Sequence, residues 1–325
     1  MKGYSVRNLS VLSFIIASVH RIDIPTNAKW ARNGITIAGG LGNGAGLNQL
    51  CLPHALCIDE DQTVYIADYS NNRIMEWKHG AKSGQVVAGG NEQGNRADQL
   101  HQPTDLIIDK KTDSLIISDW RNRRVMRCSR RGQTTGQAIV SNVECRGLAI
   151  DDDGFLYVTD REKNEVRRYR MGETCGTVVA GGNGKGDRAN QLNFPIYVFV
   201  DKDHSVFVSE RDNNRVTKWA QGAKEGIVVA GGQGRGNALT QLSYPQGIFV
   251  DQLGSVYVAD EYNHRIMRWT KGATIGSVIA GGNGRGEQSD QLNGPIGLSF
   301  DRYGNLYVAD LNNARVQRFD IDKLS

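Results

Sequence analysis

Short apolar runs, separated by clusters of glycine, asparagine and aspartate, follow one another along most of the chain. One copy of the pattern contains runs at residues 228–230, 246–250, 255–259 and 265–269. These runs are rich in Val, Ile, Tyr and Phe and alternate in polarity, which is typical of β-strands. Because turn residues separate them at short and regular intervals, each copy is predicted to form four strands.

The four-strand unit is repeated along the chain. An acidic residue closes the third strand of each copy, and the interval between these acids is close to 50 residues except for one interval of 41 residues. Repeats of this length with four antiparallel strands are typical of β-propellers. We therefore predict an all-β, six-bladed β-propeller, a single domain over about residues 30–320. The acids are Asp68, Asp119, Asp160, Glu210, Asp260 and Asp310.

The two ends of the chain are predicted to close the ring. Residues 35–38 match the run at residues 228–230, which elsewhere follows the last strand of the preceding copy. No such run follows residues 315–319. We therefore expect residues 35–38 to pair with residues 315–319 as the outermost strand of the last blade. This pairing would leave no free sheet edge at the seam.

The third copy departs from the pattern. Residues 141–145 replace the glycine-rich loop of the other copies, and Glu165 stands where they have an arginine. A departure from a regular repeat indicates either a functional site or loss of the pattern. Both interpretations remain open.

Composition and charge exclude little. The 325 residues carry a net charge of +4, which is too small to indicate an anionic partner. The five cysteines form no CxxC pair, so neither a zinc knuckle nor a thioredoxin-like site is predicted. Cys128 and Cys145 flank the irregular third copy and could pair in a secreted protein.

The N-terminus differs from the repeats. Lys2 and Arg7 precede an apolar stretch at residues 11–19, which is too short to span a bilayer. A basic start followed by a short apolar core is the order of a secretory signal. We therefore predict a signal segment over residues 1–19, a secreted protein and no stable membrane span. The alternatives are an apolar tail packed on the propeller and a cytoplasmic location.

The repeated motif resembles that of a known family. Residues 245–251, 256–260 and 263–265 resemble the NHL repeat, and the match recurs at residues 295–301 and 313–315. The resemblance implies a propeller platform. Different members of the family use it to bind RNA or protein, as the sensor domain of a membrane kinase, or to catalyse a zinc-dependent amidating-lyase reaction. Fold alone does not decide between these uses.

An acid and an arginine five residues later recur in five copies. They are predicted to form an ion pair across the turn between the third strand and the next. A motif repeated around a ring lacks the asymmetry of an active site, so we interpret it as structural. The pairs are Asp68 with Arg73, Asp119 with Arg124, Glu210 with Arg215, Asp260 with Arg265, and Asp310 with Arg315.

The start of each strand equivalent to residues 246–250 is the candidate binding site. These strands should line a central channel, and their first residues should surround its mouth on the face that carries the long loops. Variation here would express either a ligand preference or neutral drift. The residues are His54, Thr104, Arg146, Ile196, Gln246 and Ile296, with Asp105 and Tyr197 replacing the Ala or Gly that follows in the other copies.

The predicted function is non-catalytic binding of a protein, peptide or glycan on the long-loop face. The alternative is an intracellular RNA-binding or ubiquitin-pathway adaptor. That face is expected to carry Tyr69, Trp120, Tyr244, Tyr262 and Arg235, but acidic and basic residues interleave on it, which is weak for phosphate. A zinc-dependent lyase is third, because only His54 and His101 approach an inner strand and a catalytic zinc site needs about three converging ligands. No catalytic residue, metal, cofactor or DNA partner is predicted.

Overall fold

Six four-stranded antiparallel sheets make up the protein. A computed structural model describes residues 22–132 and 135–322, and within them 24 strands and four short 3-10 turns occur without an α-helix. Blade 1 contains β2 (Pro53–Ile58), β3 (Val64–Asp68), β4 (Arg73–Trp77) and β5 (Gln85–Gly89). Blade 2 contains β6 (Pro103–Asp109), β7 (Ser114–Asp119), β8 (Arg124–Ser129) and β9 (Gly136–Ser141).

The remaining blades follow the same strand order. Blade 3 contains β10 (Cys145–Ile150), β11 (Leu156–Asp160), β12 (Glu165–Tyr169) and β13 (Thr177–Gly181). Blade 4 contains β14 (Pro195–Val200), β15 (Val206–Glu210), β16 (Arg215–Trp219) and β17 (Ile227–Gly231). Blade 5 contains β18 (Pro245–Val250), β19 (Val256–Asp260), β20 (Arg265–Trp269) and β21 (Ser277–Gly281), and blade 6 contains β22 (Pro295–Phe300), β23 (Leu306–Asp310), β24 (Arg315–Phe319) and β1 (Ile35–Gly39).

The first strand of each blade lies against the first strand of the next. β2 contacts β6, and the contacts continue through β10, β14, β18 and β22 back to β2, which closes the ring. The approach is tight, since a Cβ added to Gly147 would lie 2.4 Å from the carbonyl oxygen of Ile196. A Cβ on Gly247 would likewise lie 2.6 Å from the carbonyl oxygen of Ile296. The predicted six-bladed fold is thus confirmed.

The predicted closure of the ring is also confirmed. β1 pairs with β24 in antiparallel register, from Ile35 opposite Arg318 to Gly39 opposite Arg315. The last blade is therefore built from both ends of the chain, and the seam carries the same ladder as the other blades.

An N-terminal arm at residues 22–30 leads into β1 and packs beneath blades 5 and 6. The amide of Gln252 donates to the carbonyl of Ile22 at 3.2 Å. Trp30 donates through Nε1 to the carbonyl of Gly304 at 2.9 Å, and its ring lies 6.1 Å from that of Tyr257. The predicted signal segment at residues 1–19 lies outside the described residues.

The recurring arginine fastens each long loop to its blade. Arg265 donates through Nε to Asp260 Oδ2 at 2.7 Å. Its Nη atoms donate to the carbonyls of Asn237, Ala238 and Gln241 at 2.8, 3.1 and 3.2 Å. Because these carbonyls belong to the loop that enters blade 5, the side chain holds a loop as well as a turn. Arg73, Arg124, Arg215 and Arg315 make the corresponding contacts.

Blade 3 lacks this fastening. Glu165 occupies the arginine position, and its carboxylate accepts a hydrogen bond from Arg167 Nε at 2.6 Å. Asp160 accepts two backbone hydrogen bonds through Oδ1, but its buried Oδ2 has no hydrogen-bond partner within residues 22–132 and 135–322. Lys163 Nζ is 3.8 Å from that atom. Blade 3 also lacks the long loop, so an arginine at position 165 would have no loop carbonyl groups to bind.

Candidate functional site

The six candidate mouth residues occupy equivalent positions. The first residue of each inner strand pairs with the acid that ends the next strand, and the mouth residue follows it in the chain. His54 and Arg146 are half-buried, whereas Thr104, Ile196, Gln246 and Ile296 are buried. The partly accessible groups at the mouth are therefore an imidazole and a guanidinium.

Tyr197 closes the channel below the mouth. Its hydroxyl lies 3.5 Å from the carbonyl oxygen of Thr104, so the side chain reaches from blade 4 to blade 2. The ring belongs to the hydrophobic core, and burial raises the pKa of the Tyr197 phenol well above its ordinary value. Beneath it lies a cavity of about 140 Å³. The sequence placed Tyr197 beside the mouth residues, and the structure shows that it forms the floor.

Asp105 is the buried acid in this floor. Its Oδ1 accepts a hydrogen bond from the amide of Leu106 at 2.8 Å, and its Oδ2 accepts one from the amide of Leu148 at 2.7 Å. Burial raises the pKa of Asp105 to about 7, against the lowering effect of these two hydrogen bonds. Both oxygens are committed to backbone amides, so Asp105 joins blades 2 and 3 beneath the mouth.

Two further mouth residues are engaged with neighbours. Thr104 Oγ1 donates to the carbonyl of Arg146 at 3.0 Å, which fixes the start of β10 against β6. Gln246 Nε2 donates to Glu261 Oε2 at 2.6 Å. Burial raises the pKa of Glu261, a half-buried acid that follows β19. Glu261 thus adds an acidic group to the mouth, which sequence reasoning did not single out.

His54 is a neutral group at the mouth. Its ring stacks on Tyr69 with centroids 4.3 Å apart and an angle of 18° between the planes. Burial, and secondarily the charge of Arg146, lower the pKa of His54 well below its ordinary value. His54 therefore contributes a stacking surface and a neutral hydrogen-bonding ring near neutral pH.

Arg146 lies with its guanidinium carbon 4.3 Å from the centroid of the Trp120 ring. Its Nε and Nη1 are inaccessible to solvent and have no hydrogen-bond partner among the described residues. Burial is the main effect that lowers the pKa of Arg146. A guanidinium titrates far above neutral pH, so the group remains a cation. It combines a buried positive charge with unused donors.

Alternating aromatic and arginine side chains surround much of the mouth. Arg161 lies 4.7 Å from the ring of Phe194, and Arg211 lies between Phe194 and Tyr244 at 5.0 and 4.3 Å. Guanidinium–ring contacts of this kind are attractive and orient both partners. We name this set the aromatic arc. It consists of Tyr69, Trp120, Phe194, Tyr244 and Tyr262 with Arg146, Arg161, Arg211 and Arg235.

Two aromatic residues of the arc sit on unusual backbone. Phe194 and Tyr244 each have a φ of 56°, in the left-handed region that side chains other than glycine seldom adopt. The amide of Phe194 donates to Asn164 Oδ1, and that of Tyr244 donates to Asn214 Oδ1, each at 3.0 Å. An asparagine of the preceding blade thus holds the conformation that presents each ring on the long-loop face.

Acidic residues offset part of the positive charge of the arc. Arg161 pairs with Glu144, which also accepts a hydrogen bond from Trp120 Nε1 at 3.3 Å. Arg211 Nη1 lies 3.3 Å from Asp212 Oδ1. The site is thus a set of planar aromatic and guanidinium faces rather than an open cationic patch. Sequence reasoning named Tyr69, Trp120, Tyr244, Tyr262 and Arg235 on this face.

Sequence reasoning did not single out Phe194, Arg161 or Arg211. Their common signal is position, because each either precedes the proline of an inner strand or follows, within two residues, the acid that ends the next strand. That signal places a residue near the mouth, but it does not show that residues of adjacent blades stack on one another.

A larger cleft lies on the opposite face, between blades 4 and 5. It encloses about 690 Å³ and contains Phe199, Phe207, Leu253 and Trp269 in its lining. Lys218 lies at its edge, 3.2 Å from Asp201. None of the predicted mouth residues lines this cleft.

Residues 22–132 and 135–322 also contain all five cysteines and most of the side chains that could bind a metal. No group of three or more His, Cys, Asp or Glu side chains there is placed to hold a metal ion. All five cysteines are free, including Cys128 and Cys145. No helix in the same ranges is both long enough and apolar enough to cross a membrane.

Comparison with known proteins places the repeats in a family. The NHL repeat family matches residues 50–75, 143–169, 242–268 and 292–319. Peptidyl-glycine alpha-amidating monooxygenase A of Xenopus laevis is 29% identical over 137 residues, which is 38% of this chain and 15% of that protein. The mouse enzyme is 29% identical over 92 residues, which is 27% of this chain and 9% of that protein. The chain therefore spans a small part of these relatives.

Solved structures show the same architecture. An auxiliary nutrient binding protein of Bacteroides thetaiotaomicron superimposes with a TM-score of 0.66 and 15% identity, over 91% of this chain and 77% of that chain. Virginiamycin B lyase of Staphylococcus aureus, solved with quinupristin, gives a TM-score of 0.56 and 11% identity over 90% and 99% of the two chains. At these identities the likeness concerns the fold. The chain is thus a six-bladed β-propeller in which four segments match the NHL repeat.

Proposed function

We propose that this protein is a non-catalytic binding propeller that holds a peptide, protein segment or glycan at the channel mouth. The aromatic arc is the observation that carries this proposal. Its rings and guanidinium groups gather around one end of the channel, above the floor formed by Tyr197. The repeat itself does not require them, since the equivalent residues of blade 6 are Gly294 and Leu311.

The side chains of the arc suit a binding surface. Tyrosine, tryptophan and arginine are enriched among residues that dominate binding energy, because they bury large areas and lose little conformational freedom. Aromatic faces stack on flat apolar surfaces of a ligand, and the remaining donors fix its orientation. The arc offers both, and stacking between Arg211 and its two rings orients these groups before a ligand arrives.

Location outside the cell is part of the proposal. It rests on the order of charged and apolar residues within residues 1–19. The mass of the native protein, measured separately from cells and from medium, tests it. Recovery from the medium without this segment supports secretion, and a full-length chain found only in cells contradicts it.

Binding can be tested with an array of peptides and oligosaccharides and two matched variants. Tyr69→Ser removes a ring that stacks on His54 at the mouth. Tyr303→Ser removes a ring that is 56% exposed on the turn between β22 and β23, on the opposite face. We expect Tyr69→Ser to weaken captured ligands about tenfold or more, as is usual for an aromatic anchor, and Tyr303→Ser to leave affinity unchanged. Equal affinities of the two variants would contradict the proposal.

Single-stranded RNA is the second candidate, and the alternation of rings and guanidinium groups favours it. Bases stack on aromatic side chains, and each stacked base contributes about 1–3 kcal/mol. The pairing of Arg161 with Glu144 and of Arg211 with Asp212 reduces the charge available to phosphates. Titration with an RNA oligomer at low and high salt tests this role. Affinity that falls steeply with salt and is lost in Tyr69→Ser would place RNA, as in an intracellular adaptor, ahead of a peptide or glycan.

Catalysis is the third candidate, supported by the partial similarity to amidating monooxygenases. Mass spectrometry of each captured ligand after long incubation tests it, together with zinc analysis of the purified protein. An altered ligand would replace the binding proposal by an enzymatic one, whereas ligands recovered unchanged would support it.

A further inference from the structure

Arg146 has hydrogen-bonding capacity that the protein leaves unused. Its Nε carries one N–H group and its Nη1 carries two, and neither nitrogen has a partner or contact with solvent. A buried charge without partners is strongly unfavourable, and buried polar groups in native proteins are almost always satisfied. The described part of the chain therefore supplies no acceptor for the donors on Nε and Nη1.

Three acidic side chains near the mouth are engaged with other groups. Asp105 accepts hydrogen bonds from the amides of Leu106 and Leu148. Glu144 accepts from Trp120 and pairs with Arg161. Glu261 accepts from Gln246 at 2.6 Å. None of these three carboxyl groups forms a hydrogen bond with Arg146 in the described structure.

The position of Arg146 is fixed before any ligand binds. Its carbonyl accepts a hydrogen bond from Thr104 Oγ1 at 3.0 Å, and the amide of Gly147 donates to Thr159 Oγ1 at 2.8 Å. The guanidinium itself packs on Trp120. A cation held in this way loses little conformational entropy when it binds. Because Nε and Nη1 have no accessible surface, a ligand reaches them only when a side chain packed against the guanidinium moves aside.

We propose that Arg146 is a subsite for an oxyanion, a carboxylate or phosphate group carried by the ligand at the mouth. This inference rests on the binding role proposed above and names the chemistry that the site selects. Charge-assisted hydrogen bonds from arginine to carboxylate or phosphate oxygens are among the stronger polar contacts in proteins. A neutral ligand would leave the Arg146 donors unpaired, so the subsite discriminates in favour of acidic ligands.

Arg121 provides the matched control. Its guanidinium carbon lies 4.2 Å from the centroid of the same Trp120 ring, almost the same distance as that of Arg146. Arg121 is exposed, and its Nε donates to Gln102 Oε1 at 2.9 Å. Arg121→Gln and Arg146→Gln thus remove the same charge from the same ring, but only Arg146→Gln removes the unpaired buried donors.

The first experiment uses sodium acetate and inorganic phosphate, each compared with sodium chloride at equal ionic strength. We expect a saturable rise in the melting temperature of the wild type and of Arg121→Gln, because an anion that binds only the folded state stabilises it. Arg146→Gln should show only the gradual, non-saturating rise that excluded salts produce. The relative midpoints for acetate and phosphate distinguish the two sources of the oxyanion. The same saturable rise in Arg146→Gln would overturn the proposal.

A measurement on the wild type covers the case in which Arg146→Gln does not fold. The Nε–H resonance of Arg146 in a ¹⁵N-labelled sample should shift with the same midpoint as the melting temperature. A resonance that stays in place while the melting temperature saturates would overturn the assignment of the anion to Arg146.

The second experiment separates this inference from the binding role itself. Peptides captured on the array are compared with their amidated forms, and acidic sugars with their neutral counterparts. We expect at least about a tenfold preference for the acidic form in the wild type, which Arg146→Gln abolishes and Arg121→Gln retains. Binding that depends on Tyr69 but not on the acidic group would overturn the oxyanion subsite and leave the binding role standing. Binding that is indifferent to Tyr69 would overturn both.

Discussion

Asparagine substitutions at equivalent positions of two blades test the role of the repeated acid. Asp260 and Asp160 both end the second strand of a blade, and both are buried. In blade 5, Asp260 Oδ2 accepts hydrogen bonds from Arg265 Nε at 2.7 Å and from Asn263 Nδ2 at 2.8 Å. In blade 3, Asp160 Oδ2 accepts none. The same chemical change therefore meets opposite surroundings.

The magnitude follows from these contacts. Asp260→Asn replaces an acceptor by an NH2 group that faces two donors, and it leaves the buried Arg265 without its counter-charge. Removing one partner of a buried ion pair costs about 3–5 kcal/mol. Asp160→Asn keeps the oxygen that accepts hydrogen bonds from the two backbone amides. It also removes a carboxylate whose charged form is disfavoured, since burial raises the pKa of Asp160. We expect the free energy of unfolding to change by less than about 1 kcal/mol, or to rise.

Urea denaturation followed by fluorescence measures both differences. The Asp260→Asn midpoint should shift to much lower urea at an unchanged slope, while that of Asp160→Asn should stay near the wild type. Arg265→Gln serves as a second disruption of the same pair and should resemble Asp260→Asn. Equal losses at Asp160 and Asp260 would show that the acid acts through the strand end rather than through the arginine.

Three further predictions concern the floor, the N-terminal arm and the thiols. Because burial raises the pKa of Asp105 to about 7, the folded state keeps a proton on Asp105 between about pH 4 and pH 7, where the unfolded chain has released it. The free energy of unfolding, relative to that of Asp105→Asn, should therefore fall by about 3–4 kcal/mol over this interval and then level off. Urea denaturation at several pH values checks this. A relative rise over that interval would contradict it. Trp30→Ala should lower the free energy of unfolding by about 3–5 kcal/mol in the same assay, since it removes a buried ring and the hydrogen bond to Gly304; a loss below about 1 kcal/mol would show that the arm does not clamp blades 5 and 6. Maleimide should label exposed Cys175 first and buried Cys128 only on unfolding, because burial raises the pKa of the Cys128 thiol to about 12; equal rates under native conditions would contradict this.

The repeat made most of the fold predictable. Each strand is short and alternates in polarity, and each is bounded by residues that favour turns, so local rules identify it. Gly254 in the turn between β18 and β19 has a φ of 83°, and His204 in the equivalent turn of blade 4 has a φ of 54°, as the turn geometry requires. Closure by β1 followed from counting strands at the two chain ends.

The site was less accessible to such reasoning. The sequence indicated which residues begin each inner strand, but not that Tyr197 reaches across the channel to Thr104. Contacts between blades, such as Arg211 between Phe194 and Tyr244, depend on how neighbouring sheets are oriented. A periodic pattern describes one blade at a time and carries no signal for these pairs.

The lack of acceptors for Arg146 Nε and Nη1 also depends on the assembled ring. Glu144 lies two residues away in the chain and would be its obvious partner from sequence. In the fold, Arg161 and Trp120 take the Glu144 carboxylate instead. The Nε and Nη1 donors of Arg146 are therefore left without the Glu144 carboxylate as an acceptor.

The most direct test of the account is a crystal structure of the protein with the tightest acidic ligand from the array. We predict density for the ligand at the channel mouth, in contact with Tyr69 and Trp120, with an anionic oxygen within hydrogen-bond distance of Arg146 Nε or Nη1. A ligand bound instead in the cleft of about 690 Å³ between blades 4 and 5, with the mouth empty, would contradict the central claim.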